Sequence, residues 1–169
     1  LQFPDGRKPR IYSMVESHRG DILLGTAGYG LYSVKNNGIE KTANNRFTIK
    51  WERAYTERDS DVFFTHIYED KHQYLWQSSH LSTFTRFIEK QGKVQRKDFK
   101  SPYGAPVAFI QHRPQAMLIV CMYGIIYYDY RTGRIADAGY DLGAFKNHVT
   151  INNATFDHDG NLYISTSEH

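Results

Sequence analysis

The chain has 169 residues, the size of one ordinary domain, and its 21 Lys and Arg against 18 Asp and Glu leave a net charge of +3. So small an excess, spread without a basic block, does not suit a phosphate backbone, and nucleic acid is not an expected partner. Hydrophobic residues at 40% and aromatics at 15% allow a packed core and exclude intrinsic disorder. The single Cys121 excludes an intrachain disulfide and a Cys-based zinc site. The longest apolar run, 116–128, is shorter than the roughly 20 residues of a spanning helix, so any membrane attachment is expected through other parts of a parent chain. Residues 1–6 carry no charged and apolar export signal, so an exported parent is expected to hold that signal elsewhere.

Taken in order, the elements repeat. An apolar strand at 11–16, a polar turn through Gly20 and a second strand at 22–26 are followed by a third at 31–35, a turn at Asn36-Asn37-Gly38 and a more polar fourth strand. The pattern recurs at 64–69, 75–79 and 83–88 with a turn at Lys90-Gln91-Gly92, and more weakly at 107–121 and 125–130 with a turn at Arg131-Thr132-Gly133. A last copy, 151–156 and 162–166, stops after its second strand. Gly20, Gln73, Gln115 and Gly160 mark equivalent turns, and Gly25-Thr26, Ser78-Ser79 and Ser165-Thr166 are equivalent small-residue strand ends. Four-strand repeats of roughly 40 to 50 residues are the signature of propeller blades. The expected fold is all-β: an incomplete β-propeller with four-stranded antiparallel blades at 10–60, 61–105 and 106–147 and part of a fourth at 148–169. Three and a half blades do not make a conventional ring, so the remaining blades of a parent chain, or a second copy in a homo-oligomer, are expected as partners.

The blade pattern also carries a resemblance. Gly20-Asp21-Ile22-Leu23-Leu24-Gly25-Thr26 with Gly30-Leu31-Tyr32, Glu69-Asp70 with Leu75-Trp76, and Asp157 with Gly160-Asn161-Leu162-Tyr163 resemble the regulator-propeller repeat of periplasmic sensors in hybrid two-component systems. Blade three departs from it, with Arg113-Pro114-Gln115 in place of the acidic Gly turn and Val120-Cys121 in place of Gly-Thr. The resemblance implies a periplasmic sensor ectodomain whose parent carries a histidine kinase and responds to glycan breakdown products.

Several residues invite a chemical reading that the repeat already explains. Asp157-His158-Asp159-Gly160 begins like a calcium loop but enters a strand without later acidic ligands, so an Asx turn is expected. His18, His72 and His158 occupy one turn position in three blades, set apart around a ring, and read as solvated turn residues. Ala27-Gly28-Tyr29-Gly30 precedes a strand rather than a phosphate-binding helix. Glu16, Glu69, Asp70 and Asp157 recur at turns and offer no carboxylate pair outside the repeat, while Cys121 lies in an apolar run and reads as a buried, inert thiol. No metal, cofactor or catalytic residue is expected.

The connections at 53–61, 99–106 and 140–148 escape the repeat. They emerge with the second-to-third strand turns, which contain Tyr29, His80 and Tyr123, so one face gathers aromatic and charged groups suited to a polyol. Arg58, Asp59, Tyr103, Tyr123 and Asp141 are the expected ligand-binding residues and an oligosaccharide the expected ligand. The competing reading is that Tyr55, Tyr103 and Tyr140 pack between blades. Trp76 aligns with Leu23 and Tyr163 and is expected to pack, whereas Trp51 falls on an outer strand. A non-catalytic sensor segment is the expected function; the alternatives are a protein-interaction scaffold and a propeller glycoside hydrolase or lyase.

Overall fold

Short apolar and polar alternations closed by turn residues give strands throughout. The computed structural model describes residues 8, 10–28, 30–41, 47–55, 64–91, 93–140, 142–143 and 149–167. The first sheet has β1 (Ile11–Glu16), β2 (Ile22–Thr26), β3 (Leu31–Lys41) and β4 (Phe47–Tyr55). The second has β5 (His66–Glu69), β6 (Leu75–Ser78), β7 (Thr83–Lys90) and β8 (Lys93–Lys100). The third has β9 (Pro106–Arg113), β10 (Ala116–Cys121), β11 (Gly124–Asp129) and β12 (Arg134–Asp137), and β13 (Thr150–Phe156) pairs with β14 (Leu162–Ser167). Strand order follows chain order in every sheet, so each four-stranded sheet is a meander of the kind a propeller blade uses, and among the described residues no sheet closes on itself.

Two compact units divide these elements: Leu1–Gln77 with Arg86–Arg96, and Ser78–Thr85 with Lys97–His169. In the first unit β5 lies beside β1, where the Ile67 N–H donates to Ser13 Oγ at 3.1 Å. Leu23, Leu31, Phe64, Ile67, Leu75 and Phe87 form its core. The small residue at the end of β2 has a steric cause, because a Cβ added at Gly25 would stand 3.0 Å from both Phe64 Cβ and the Phe64 carbonyl oxygen. Trp76 is fully buried and donates its indole N–H to Asp70 Oδ2 at 2.7 Å, in keeping with a packing role.

One expected turn is not a turn. β3 runs through Asn36-Asn37-Gly38, and pairing with β4 resumes at Ile39↔Ile49 after Val34↔Trp51. Four residues of β3 thus face one of β4, so the polar triplet is taken up in a bulge and the hairpin extends beyond it. The other two turns stand where expected: Gln91 takes φ 52 between β7 and β8, and Gly133 takes φ 67 between β11 and β12. At the latter, Asp129 Oδ1 accepts the N–H groups of Arg131 and Thr132 at 2.7 and 2.9 Å. These bonds, the Thr132 one foremost, hold the Asp129 carboxyl below the usual carboxylate range.

In the second unit β13 lies beside β9, and the Ile151 N–H donates to the Met122 carbonyl at 2.9 Å. Val107, Leu118, Val120, Ile125, Ile151 and Ala154 form the core. Phe84 stacks on Phe99 at 5.2 Å, and Phe99 meets Tyr128 edge-on at 5.7 Å. Burial pushes the Cys121 thiol up to about 11 although the Ser101 hydroxyl bonds its Sγ at 3.1 Å, so Cys121 is protonated at neutral pH, as its apolar setting predicts.

Candidate functional site

Three turns share one construction. Ser17, Asp70 and Asp157 each accept through one side-chain oxygen from the N–H groups two and four residues on, at 2.7 to 3.3 Å of donor–acceptor separation for the whole set of turn bonds. In each, the fourth residue closes the turn with positive φ: Gly20 at 77, Gln73 at 62 and Gly160 at 84. Gln115 does not belong to this set, because Pro114-Gln115 joins β9 to β10 as a two-residue loop without positive φ at Gln115. Asp157 also accepts from Asn161 Nδ2 at 2.9 Å, and the Asn161 bonds hold its carboxyl below the usual range. Its oxygens are therefore spent on the turn, which is the Asx reading made from sequence.

The histidines sort differently from their sequence positions. His158 is exposed beside Asp159 at 3.4 Å. His18 reaches across to the next blade's Glu69, donating its backbone N–H to Oε2 at 3.1 Å and meeting Oε1 through Nδ1. His18 and His72, expected to stand apart, line one cavity of about 330 Å³ in the first unit.

The tyrosine site lies in the second unit, where the entry to β9, the β10–β11 turn and the exit from β12 meet. Backbone bonds set this geometry: Met122 N–H donates to the Ala105 carbonyl, Tyr123 N–H to the Tyr103 carbonyl and Ala138 N–H to the Ile125 carbonyl, each at 3.0 Å. Two Tyr-Gly pairs then interlock. The Tyr103 ring lies on Gly124, where an added Cβ would come within 2.5 Å of it. The Tyr123 ring lies on Gly104, whose hypothetical Cβ would stand 3.1 Å away and whose φ of 79 already favours glycine.

The Tyr103 hydroxyl donates to Asp137 Oδ2, and the Gly139 N–H donates to Asp137 Oδ1 at 2.6 Å. The bond to Asp137, then burial, then the carboxylate's charge raise the Tyr103 phenol above its ordinary value. Tyr103, Tyr123, Asp137 and Tyr140 line a cavity of about 410 Å³, with Tyr123 51% and Tyr140 40% exposed. This is an open aromatic pocket with the Asp137 carboxylate anchored at its wall. Of the five residues expected from sequence, Tyr103 and Tyr123 meet here, and Arg58, Asp59 and Asp141 lie outside the described residues. Asp137 escaped sequence reasoning because it lies 34 residues from Tyr103 and ends a polar outer strand like any other.

No protein-family model and no curated protein matches the chain. Among solved structures it is similar to an extracellular domain described as that of a hybrid two-component system from B. thetaiotaomicron, at 15% identity and TM-score 0.63 over 91% of this chain and 20% of that one. An extracellular domain described as that of a one-component system from B. thetaiotaomicron matches at 17% identity and TM-score 0.64, over 97% and 21% respectively. Virginiamycin B lyase from Staphylococcus aureus matches at 13% identity and TM-score 0.51, over 92% of this chain and 54% of the enzyme. At these identities the likeness is one of fold. The chain spans about a fifth of the length of the two extracellular domains. Among the described residues no helix is long and apolar enough to cross a membrane.

Proposed function

We propose that the chain is a non-catalytic segment of a periplasmic β-propeller ectodomain in a two-component sensor histidine kinase, which recognises an oligosaccharide and relays the signal to a kinase outside these residues. The observation that carries the ligand reading is the interlocked Tyr103 and Tyr123 pair around a cavity walled by Asp137. Aromatic faces stack on sugar C–H surfaces, and an oriented carboxylate accepts from hydroxyls. Arg58, Asp59 and Asp141 extend the site in this reading.

The sensor role is supported by the fold shared with extracellular domains of bacterial signalling systems. The blades join the rest of a parent ring or a second copy of the chain. Asp137, the one carboxylate lining this cavity among the described residues, has both oxygens already engaged, which does not suit the free acid or nucleophile that a hydrolase needs. Calorimetric titration of the intact ectodomain with an oligosaccharide series is the test. Saturable binding without turnover of the sugar supports the sensor; release of cleaved product contradicts it.

A further inference from the structure

The cavity of about 330 Å³ in the first unit has features that its turns do not require. Ser33 lines it at 4% exposure, and its hydroxyl has no hydrogen-bond partner among the described residues. Buried hydroxyls are rarely left so, because desolvation is then uncompensated. Around the same cavity stand three pairs of opposite charge: His18 with Glu69, Lys35 with Asp21 at 3.1 Å and Arg19 with Glu89 at 3.0 Å. Leu23, Leu75 and Ile88 supply apolar wall.

The pairs differ in how readily they open. Glu69 is held by both the backbone N–H and the ring of His18, and the Asp21 side chain is only 14% exposed. Arg19 and Glu89 are 57% and 41% exposed, and an ion pair so placed contributes little. A ligand of one charge that opened it would leave one protein charge without its counter-ion. A zwitterion would replace one pair with two, and the guanidinium fork of Arg19 fits a carboxylate through two parallel bonds. A neutral sugar is disfavoured because no Phe, Tyr or Trp lines this cavity among the described residues, so its C–H faces have no ring to stack on.

We propose that this cavity binds a free aliphatic α-amino acid, its carboxylate on Arg19, its ammonium on Glu89, a hydrogen bond to Ser33 and its side chain against Leu23 and Leu75. The site is independent of the tyrosine pocket. Calorimetry on the full chain with L-leucine, N-acetyl-L-leucine, L-leucinamide and glucose tests it. L-leucine gives a saturable heat, and blocking either of its charges weakens binding by about tenfold or more, as loss of a charge-assisted bond predicts. Arg19→Gln and Ser33→Ala weaken leucine binding, with folding checked by circular dichroism, and Tyr123→Ala leaves it unchanged. Should Arg19→Gln fail to fold, the ligand series still decides. No saturable heat with L-leucine up to millimolar concentration, equal affinity for N-acetyl-L-leucine, or binding of glucose in its place overturns the proposal.

Discussion

Tyr103 and Asp137, 34 residues apart, are joined by a hydrogen bond from the phenol to Oδ2 while the Tyr103 ring lies against Gly124. The carboxylate is held in turn by the Gly139 N–H. The neutral phenol is the form this arrangement favours. Its contribution to stability is therefore complete below the ordinary tyrosine value of 10.0 and is lost as pH rises through the higher folded value. Asp137→Ala removes the accepting oxygen and, with it, the carboxylate's charge, so spectrophotometric titration will show one tyrosine ionising earlier than in the parent. An unchanged titration curve would show that the bond does not form in solution.

Leu75 is 3% exposed in the core of the first unit, whereas the residue at the same repeat position in the last sheet, Leu162, is half-buried. Leu75→Ala will cost about 2 to 5 kcal/mol in denaturant unfolding, and Leu162→Ala less. A cost below about 1 kcal/mol at Leu75 would contradict the packing described.

Gln73 takes φ 62 where Gly20 and Gly160 take 77 and 84, so a side chain stands at a position that the other two turns give to glycine. Gln73→Gly will raise stability by about 0.5 to 1 kcal/mol, the strain of the left-handed conformation outweighing the added freedom of the unfolded chain. Gly160→Ala will lower it by about 1 kcal/mol or more for the same reason. Thermal melts of the two variants moving in the same direction would contradict the equivalence of the turns.

The repeat was legible because three of the four sheets write this turn in residues with a fixed physical meaning, Gly20 and Gly160 for positive φ and Asp70 and Asp157 for side-chain caps. Asn36-Asn37-Gly38 carries the same signals as a hairpin turn, and only the cross-strand partner Ile49 shows that it is a bulge. Tyr103 and Tyr123 could be placed on one face from the order of strands and connections alone. Their partners could not, since the bond of Tyr103 to Asp137 and that of His18 to Glu69 each span many residues and depend on how neighbouring strands are set. Because the Tyr103 ring seats on Gly124, the more exposed Tyr123 is the cleaner probe of binding.

The central claim, that the interlocked tyrosines form an oligosaccharide site, is tested most directly by comparing Tyr123→Ala with the parent ectodomain in one calorimetric series against an oligosaccharide that the parent binds. With Tyr123 51% exposed, the substitution will leave stability within about 0.5 kcal/mol, as is usual for a surface position, while binding weakens by about tenfold or more through loss of the stacking face. Equal affinity in the two proteins, with both folded, would contradict the claim.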